Sequence, residues 1–402
     1  MMIKLPERIK QVGVYAFNEQ GGSLTQPAQY CFQYQGTQSV SLTMNLRQQP
    51  YNSGSIHPVF AQNLPEGYIR RYIFEKLERH ARINDLYLLA LQQDKGIGHL
   101  SYQSEIEEFT AEELSLSEIL AWKGKESIFP QLLNKYYLGG FASGVQPKVL
   151  VHNVKAVANQ KDLIVKTFDD EYPLLTVNEY VCMSAAKAAG LNPPDVWLSD
   201  DLRTFVIQRF DKPAGQNLGI EDFSVLTGRE KYSGSYEMLL KAVALYTKNQ
   251  EEVKKAYRYI VFNCLIGNGD AHLKNFALQY HPDRSTIKLT PPYDMTHTLI
   301  YPTLDRNMAL KMGGAKSFPN KNDLIKLAST AKIKDAALII EEMAESIKAY
   351  IMQSSQVSLV KGLKESILSA VDKACALPTS TKPYRHDKKR KYTNSDTDGI
   401  AR

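Results

Sequence analysis

The order of strand-like and helix-like segments constrains the fold of this chain most strongly. From residue 236 onward the pattern is helical, and in the segment 251–266 the residues Val253, Ile260 and Cys264 fall near one helical face. Earlier in the chain, helices are predicted near 68–77, 84–91 and 177–189. Short apolar runs predict β-strands at 12–17, 30–34, 40–44, 149–151, 163–167 and 205–210, with a turn at 21–22. We therefore expect an α+β protein with a β-rich front and a helical back.

Length, composition and charge limit the classes of protein that fit. With 402 residues the chain can bury a sizeable core in two lobes. A content of 43% hydrophobic and 23% charged residues is typical of a soluble globular protein. The formal charge is +6, but residues 378–402 hold seven Lys or Arg against three Asp, so this tail contributes +4. The remaining +2 gives no electrostatic argument for direct binding of nucleic acid.

The cysteines and the apolar runs predict a cytoplasmic protein that does not enter a membrane. Cys31, Cys182, Cys264 and Cys375 are far apart and form no Cys-x-x-Cys pair, so we expect reduced thiols. The first 13 residues contain charges and no apolar core of a signal peptide. No run approaches the roughly 18 apolar residues that a membrane-spanning helix needs.

The segment 267–275, with the sequence GNGDAHLKN, is the most informative for chemistry. It lies between the predicted helix 251–266 and a predicted strand at 276–280. Asp270 and Asn275 show the Asp-x-x-x-x-Asn spacing of kinase catalytic loops. In those loops the Asp accepts the proton of the substrate hydroxyl and the Asn holds Mg²⁺. A helix C-cap followed by an ordinary turn is the alternative, because Gly, Asn and Asp are common turn residues.

A second turn supplies a further candidate for a metal ligand. Asp294 follows a predicted strand at 287–289 and a Pro-Pro pair, 19 residues beyond Asn275, as the metal-holding Asp of kinases follows a strand. One Asp and one Asn suffice for Mg²⁺, which takes its other ligands from phosphate and water. An Asp that caps a helix is the structural alternative, but it does not explain the pairing with Asn275.

Lys166 and Glu179 are candidates for the lysine–glutamate pair of kinases. Lys166 lies inside the apolar run 163–166, where an unpaired charge is costly. A solvent-facing lysine on an edge strand is the alternative. Glu179 lies near the start of a predicted helix, where Thr176 and Glu179 also fit a capping box.

A loop rich in small residues, GGFASGVQPK at 139–148, can turn backbone N–H groups toward an anion. It is not a Walker A motif, because Val145 stands where that motif requires a lysine. The loop alone therefore predicts only a candidate for phosphate binding.

Together these ordered motifs resemble the HipA family of bacterial serine/threonine kinases, the toxins of HipBA-type toxin–antitoxin modules. The similarity covers about residues 12–376. It includes NLPEG at 63–67, SGVQPK at 143–148, NEYVCM at 178–183, QRFD at 208–211, NGDAHLKN at 268–275 and Tyr293-Asp294.

The resemblance implies an α+β, two-lobed, protein-kinase-like (HipA-like) fold that uses ATP and Mg²⁺. It implies that Asp270 is the catalytic residue, that Asn275 and Asp294 hold the metal, and that Lys166, with Glu179 as its partner, contacts phosphate. The other residues that it places at ATP are Ser143, Gly144, Val145, Gln146, Pro147, Lys148, Gln208, Arg209, Phe210, His272, Leu273, Lys274 and Tyr293.

The implied organisation has four parts. Residues 1–130 form a β-rich N-terminal subdomain of the N-lobe, and 131–210 form the nucleotide-binding part with the hinge. Residues 211–377 form the helical C-lobe with the catalytic and metal motifs. Residues 378–402 form a basic, disordered tail, for which contact with DNA phosphates is the alternative.

One position departs from the family pattern. The nucleotide loop of the family commonly carries a self-phosphorylated serine three residues before its Gly, and phosphorylation there inactivates the kinase. Phe141 occupies this position and cannot be phosphorylated. Ser143, directly before Gly144, is the expected alternative site of autophosphorylation.

Three functions stay open at this point. The first is a toxin kinase that phosphorylates a protein of translation, such as an aminoacyl-tRNA synthetase. The second is a kinase-fold module that mainly binds a helix-turn-helix antitoxin of HipB type and reaches DNA only through it. The third is a small-molecule or lipid kinase, since a fold does not fix the acceptor.

Overall fold

The computed structural model describes residues 5–106, 114–124, 128, 132, 149–153, 161–167, 172–213 and 216–376. In these residues the strands form three antiparallel sheets, and the longest helices follow in the second half. The front is therefore rich in strands and the back in helices, as the sequence predicts.

The first sheet has five strands in the order β4-β3-β2-β1-β5. Along β1 the side chains of Val12, Val14 and Ala16 are buried in alternation, because successive strand residues point to opposite faces. The strands are β1 (Gln11–Ala16), β2 (Glu19–Thr25), β3 (Tyr30–Tyr34), β4 (Tyr51–Ser53) and β5 (Leu100–Gln103). The helices of this part are α1 (Pro58–Ala61), α2 (Gly67–Leu77), α3 (Asp85–Gln92) and α4 (Leu116–Leu120).

Two predictions about this sheet are wrong. The turn lies at Phe17 and Asn18, both with positive φ, and not at Gly21-Gly22. Gly22 lies inside β2 opposite Tyr34, where a Cβ atom would come within 2.3 Å of the Gln33 carbonyl oxygen. The glycine is therefore needed for close approach of two strands and not for turning the chain.

The predicted strand at 40–44 is a loop. Its apolar residues Val40 and Met44 are buried, but its backbone bonds to side chains and not to a neighbouring strand. The Leu42 N–H and the Ser41 hydroxyl donate to the buried carboxylate of Glu221, at 2.6 and 2.9 Å. This loop therefore contributes to the contact between the first subdomain and the C-lobe.

The second sheet has the strand order β6-β7-β9-β8. Its strands are β6 (Val149–Asn153), β7 (Lys161–Thr167), β8 (Val196–Leu198) and β9 (Thr204–Gln208). Helix α5 (Leu175–Ala188) packs beside it, and the chain leaves this helix at Gly190 with a φ of +71°. On β9, Val206 packs in the core of the first subdomain, whereas Phe205 and Ile207 pack in the core of the C-lobe. This sheet thus lies between two hydrophobic cores.

The C-lobe combines the third sheet, in the order β10-β11-β12, with helices. The buried faces of these helices, such as that of Val253, Ile260 and Cys264, form the larger of the two cores. Its elements are β10 (Gly219–Asp222), α6 (Phe223–Thr227), α7 (Tyr236–Thr247), α8 (Gln250–Leu265), β11 (Ala277–Tyr280), β12 (Ile287–Leu289), α9 (Lys321–Thr330), α10 (Ala336–Gln353) and α11 (Leu363–Cys375). Among the described helices, none combines the length and the apolar character needed to cross a bilayer.

Candidate active site

The turn after α8 presents Asp270 to solvent on a rigid backbone. Gly267 has a φ of +68°, which ends the helix. The Asn268 side-chain oxygen accepts a hydrogen bond from the Asp270 N–H at 3.0 Å, and the Gly269 N–H donates to the Thr298 hydroxyl at 2.7 Å. A Cβ atom on Gly269 would come within 2.7 Å of the Asn307 carbonyl oxygen, so this glycine is required.

The side chain of Tyr232 contacts both Asp270 and its neighbour His272. The Tyr232 hydroxyl donates a hydrogen bond to Asp270 Oδ1 at 3.1 Å. The Tyr232 ring also packs edge-on against the His272 ring, with 5.2 Å between centroids. Burial lowers the pKa of His272, although the Asp270 carboxylate acts in the opposite direction. His272 is therefore a neutral ring beside the Asp270 carboxylate at neutral pH.

Three charged side chains from distant parts of the chain meet on the other side of the site. The Lys166 ammonium donates to Glu179 Oε1 at 2.5 Å and forms a second ion pair with Asp294 Oδ1. The side chains of Lys166 and Glu179 are only 12% and 7% exposed. Burial alone would lower the pKa of Lys166, but the two carboxylates outweigh it and raise that pKa. The lysine is therefore charged and held in one place.

The capping-box alternative for Glu179 does not apply. The residue before the helix is Leu174, and the Thr176 hydroxyl donates to the Leu202 carbonyl oxygen at 2.6 Å. The carboxylate of Glu179 thus faces Lys166 and not the backbone at the helix start. Lys166 is likewise not a solvent-facing lysine.

Asn275 and Asp294 lie together at the end of the β11–β12 hairpin. The Asn275 side-chain nitrogen lies 3.4 Å from the Asp294 carbonyl oxygen. Asn275 Oδ1 is buried and has no hydrogen-bond partner among the described residues. Asp294 has a φ of +54°, a rare conformation for a residue with a side chain. Amide and carboxylate oxygens are ligands that a hard cation such as Mg²⁺ prefers, so this unpaired amide oxygen and the carboxylate of the neighbouring Asp294 suit such a cation.

The segment QRFD at 208–211, the hinge that the resemblance to the family implies, is fixed by a buried ion pair. Arg209 donates from Nε to Asp211 Oδ1 at 2.8 Å and from Nη2 to the Gly96 carbonyl oxygen at 2.7 Å. Asp211 Oδ2 in turn accepts from the Gly98 N–H at 2.7 Å. These bonds attach the segment after β9 to the first subdomain. Next to it, the ring of Phe210 stacks on that of Tyr293, with 5.6 Å between centroids.

Helix α5 also fixes the backbone that follows Asp294. The Asn178 side chain donates to the His297 carbonyl oxygen and accepts from the His297 N–H, both at 2.9 Å. Burial lowers the pKa of His297 to about 4, so its ring is neutral at pH 7. Its Nδ1–H donates to the Ile266 carbonyl oxygen, and its Nε2 accepts from Ser366. One helix therefore positions Lys166 through Glu179 and the segment after Asp294 through Asn178.

A cavity of about 1170 Å³ joins these groups. Two predicted nucleotide contacts differ from the rest. Leu273 is fully buried and does not line the cavity, whereas Lys274 lines it but forms an ion pair with Glu66 at 2.5 Å. The predicted loop 143–148, including Ser143, lies outside the described residues. The other predicted residues that line the cavity are Lys166, Glu179, Gln208, Arg209, Phe210, Asp270, His272, Asn275, Tyr293 and Asp294.

Sequence reasoning missed three contributors to this site. Asn178 lies within a motif that was recognised, directly before Glu179, but no local pattern indicates its contact with His297. Tyr232 and Lys316 line the same cavity as Asp270. They lie in loops without a recognisable motif, so only the fold brings them to the site.

Comparisons with known proteins agree with this architecture. The sequence model for the HipA-like C-terminal domain matches residues 140–351, and that for the HipA N-terminal domain matches residues 12–103. The putative kinase Y4dM of Sinorhizobium fredii is 27% identical over 328 residues, which cover 75% of this chain and 76% of that protein. The serine/threonine-protein kinase toxin HipA of Shewanella oneidensis is 27% identical over 198 residues, 42% of this chain and 45% of that protein.

A solved structure shows the same fold. In the complex of Shewanella oneidensis HipA with HipB and operator DNA, one chain superimposes with a TM-score of 0.66 at 19% identity, covering 90% of this chain and 96% of that chain. The C-terminal-domain match alone spans more than half of the sequence. The chain therefore belongs to the HipA family of kinases and has the two-lobed, α+β, kinase-like fold of that family.

Proposed function

We propose that this protein transfers the γ-phosphoryl group of ATP to serine or threonine hydroxyls of a protein target. The observation that carries the proposal is the convergence of Lys166, Glu179 and Asp294 with Asn275 and Asp270 on one cavity. This set combines a cation for phosphate, oxygen ligands for a metal and a solvent-exposed carboxylate. Kinases need these three elements for positioning and electrostatic stabilisation.

The roles follow from the geometry. Asp270 would accept the proton of the acceptor hydroxyl, because its carboxylate is exposed and already accepts a hydroxyl hydrogen bond from Tyr232. Lys166, oriented by Glu179, would bind phosphate oxygens. Asn275 Oδ1 and the Asp294 carboxylate would hold Mg²⁺, which when bound neutralises charge on the β- and γ-phosphates. Within the described residues no group of three or more His, Cys, Asp or Glu could hold a metal, so phosphate and water would complete the ligand set.

The hinge and the glycine-containing loop would bind the rest of ATP. Gln208, Arg209 and Phe210 line the cavity, and by resemblance to the family their backbone would meet adenine. The rigid Arg209–Asp211 pair supports this backbone. We assign Ser143, Gly144, Val145, Gln146, Pro147 and Lys148 to the phosphates on their resemblance to the nucleotide loop of the family.

We assign the protein the role of a toxin in a type II toxin–antitoxin system, with a target in translation such as an aminoacyl-tRNA synthetase. The membership of the HipA family and the likeness to the toxin of Shewanella oneidensis support this role. A helix-turn-helix protein of HipB type would be its antitoxin, and the likeness to HipA in a HipA–HipB–DNA complex supports this partner. DNA would be contacted only through the antitoxin.

A phosphorylation assay tests the catalytic proposal. The protein is incubated with a cell lysate, Mg²⁺ and γ-labelled ATP, and the labelled products are separated into protein and lipid fractions. We expect label on a small number of proteins, at serine or threonine, with wild type. Asp294→Gln should lose this label because it removes the carboxylate that would hold the metal. Label confined to lipids or small molecules would contradict the proposal of a protein kinase.

Co-expression tests the partner. We expect the protein to co-purify with the product of an adjacent gene when that gene encodes a small helix-turn-helix protein. The complex should bind operator DNA in an electrophoretic shift, whereas this chain alone should not. Tight DNA binding by this chain without a partner would contradict the indirect role.

A further inference from the structure

Tyr232 occupies a place beside Asp270 that the mechanism has not used. It lies at the tip of the turn between α6 and α7, and its hydroxyl donates to Asp270 Oδ1 at 3.1 Å. In the proposed reaction, the acceptor hydroxyl must donate a hydrogen bond to this carboxylate before transfer. A carboxylate can accept several hydrogen bonds, so the Tyr232 hydroxyl competes with an acceptor hydroxyl that approaches the same oxygen, Asp270 Oδ1.

The backbone of Tyr232 is anchored, but its side chain is not enclosed. The carbonyl oxygen of Lys231 accepts from the Leu273 N–H at 3.0 Å, and the Tyr232 carbonyl oxygen accepts from Lys316 at 3.4 Å. The tyrosine itself is 47% exposed. Its ring packs edge-on against His272, and the Lys231 ammonium lies 4.9 Å from the ring centroid. The side chain can therefore rotate away while the turn stays in place.

The Tyr232 hydroxyl remains protonated at neutral pH and can therefore donate a hydrogen bond. Burial and the neighbouring Asp270 carboxylate raise the pKa of Tyr232 to about 12. The phenol therefore keeps its proton at neutral pH and its oxygen is a weak nucleophile. While this hydroxyl donates to Asp270 Oδ1, a water molecule cannot donate to the carboxylate from the same side. Keeping water from the reacting groups suppresses hydrolytic side reactions.

We propose that Tyr232 is a gate on the acceptor side of the site, which holds the acceptor position on Asp270 until a protein hydroxyl displaces it. This inference rests on the proposed kinase function. A protein acceptor can displace the Tyr232 hydroxyl because it makes further binding contacts with the kinase. A water molecule makes no such contacts, so transfer to water is suppressed. In the suppressed reaction a water oxygen bonds to the γ-phosphorus, the bond to the bridging oxygen of ADP breaks, and Asp270 takes the proton.

The test measures release of inorganic phosphate from ATP and Mg²⁺ by the purified full chain, with water as the only acceptor. Tyr232→Phe removes the hydroxyl and keeps the ring. We expect its hydrolysis rate to rise about fivefold, the factor that corresponds to one hydrogen bond of ordinary net strength. The added rate should disappear in the double variant Tyr232→Phe/Asp270→Asn. Tyr246→Phe is the matched control, because that hydroxyl bonds to the Leu226 carbonyl oxygen away from Asp270.

The outcomes separate the gate from other roles of Tyr232. An unchanged or slower hydrolysis by Tyr232→Phe, with wild type active on lysate proteins, overturns the gate and leaves the kinase proposal standing. Phosphate on Tyr232 itself, found by mass spectrometry, also overturns it, because the residue would then be an acceptor. If wild type labels no protein and Tyr232→Phe hydrolyses no ATP, both proposals fall. Circular dichroism confirms that the variants are folded.

Discussion

Replacing Asp270 by asparagine should lower phosphoryl transfer to protein about 100- to 10 000-fold, the range that one general base contributes. The amide keeps the shape of the side chain and can still accept from Tyr232, but it cannot take the proton of the acceptor. Binding of ATP should be unchanged, because the proposed phosphate and metal contacts come from Lys166, Asn275 and Asp294. Single-turnover transfer of label and calorimetric titration with ATP measure the two effects separately.

Asp305→Asn is the matched control for this prediction. Asp305 is exposed and lines the same cavity, so its substitution removes one negative charge from the site without touching the proposed base. We expect transfer within about threefold of wild type, which is the usual scale for an exposed charge. Equal losses in Asp270→Asn and Asp305→Asn would reject the assignment of Asp270 and point to a general electrostatic effect.

Replacing Arg209 by alanine should lower the free energy of unfolding by about 3–5 kcal/mol, the cost of breaking a buried ion pair on one side. The side chains of Arg209 and Asp211 are 1% and 4% exposed, so water cannot solvate the carboxylate that remains. The Gly96 carbonyl oxygen also loses its donor. Urea denaturation at pH 7, followed by circular dichroism, measures the change.

The double variant Arg209→Ala/Asp211→Ala provides the control. This variant also removes the carboxylate of Asp211, which is left without a partner in Arg209→Ala. Its free energy of unfolding should therefore be higher than that of Arg209→Ala. The exposed pair of Arg82 and Glu7, at 3.4 Å, provides a second comparison. Arg82→Ala should cost less than about 1 kcal/mol. If Arg209→Ala also lowered the free energy of unfolding by less than about 1 kcal/mol, the ion pair of Arg209 and Asp211 would not stabilise the fold.

The effect of Arg209→Ala should also depend on pH. Burial alone would raise the pKa of Asp211, but Arg209 and the Gly98 N–H outweigh it and leave that pKa below its usual range. In wild type this interaction stabilises the fold above the pKa of an unfolded Asp and is lost as the pH falls through the folded pKa. The difference in stability between wild type and Arg209→Ala should therefore be largest near neutral pH and shrink on strong acidification.

Strong local periodicity explains which elements could be predicted. The predicted helix 251–266 agrees with α8 (Gln250–Leu265) within one residue, and the predicted strands at 30–34 and 287–289 agree with β3 and β12. In these segments apolar residues recur with the period of a helix or of a strand, so the sequence itself indicates the type of element. The segment 40–44 also carries apolar residues, yet it is a loop, in which the Leu42 N–H bonds to the carboxylate of Glu221 in the C-lobe and not to a neighbouring strand.

The order of the motifs, the family, the change from strands to helices and the candidates Asp270, Asn275 and Asp294 could all be read from the amino-acid sequence. The contacts of Lys166 with Glu179 and Asp294, of Asn178 with His297 and of Tyr232 with Asp270 could not, and they appear only in the folded chain. These contacts join residues that are far apart along the chain. Lys166 and Asp294 are 128 positions apart, and Asn178 and His297 are 119 apart. Periodicity and capping act over a few residues, whereas these contacts arise only when two hydrophobic cores have packed around one sheet.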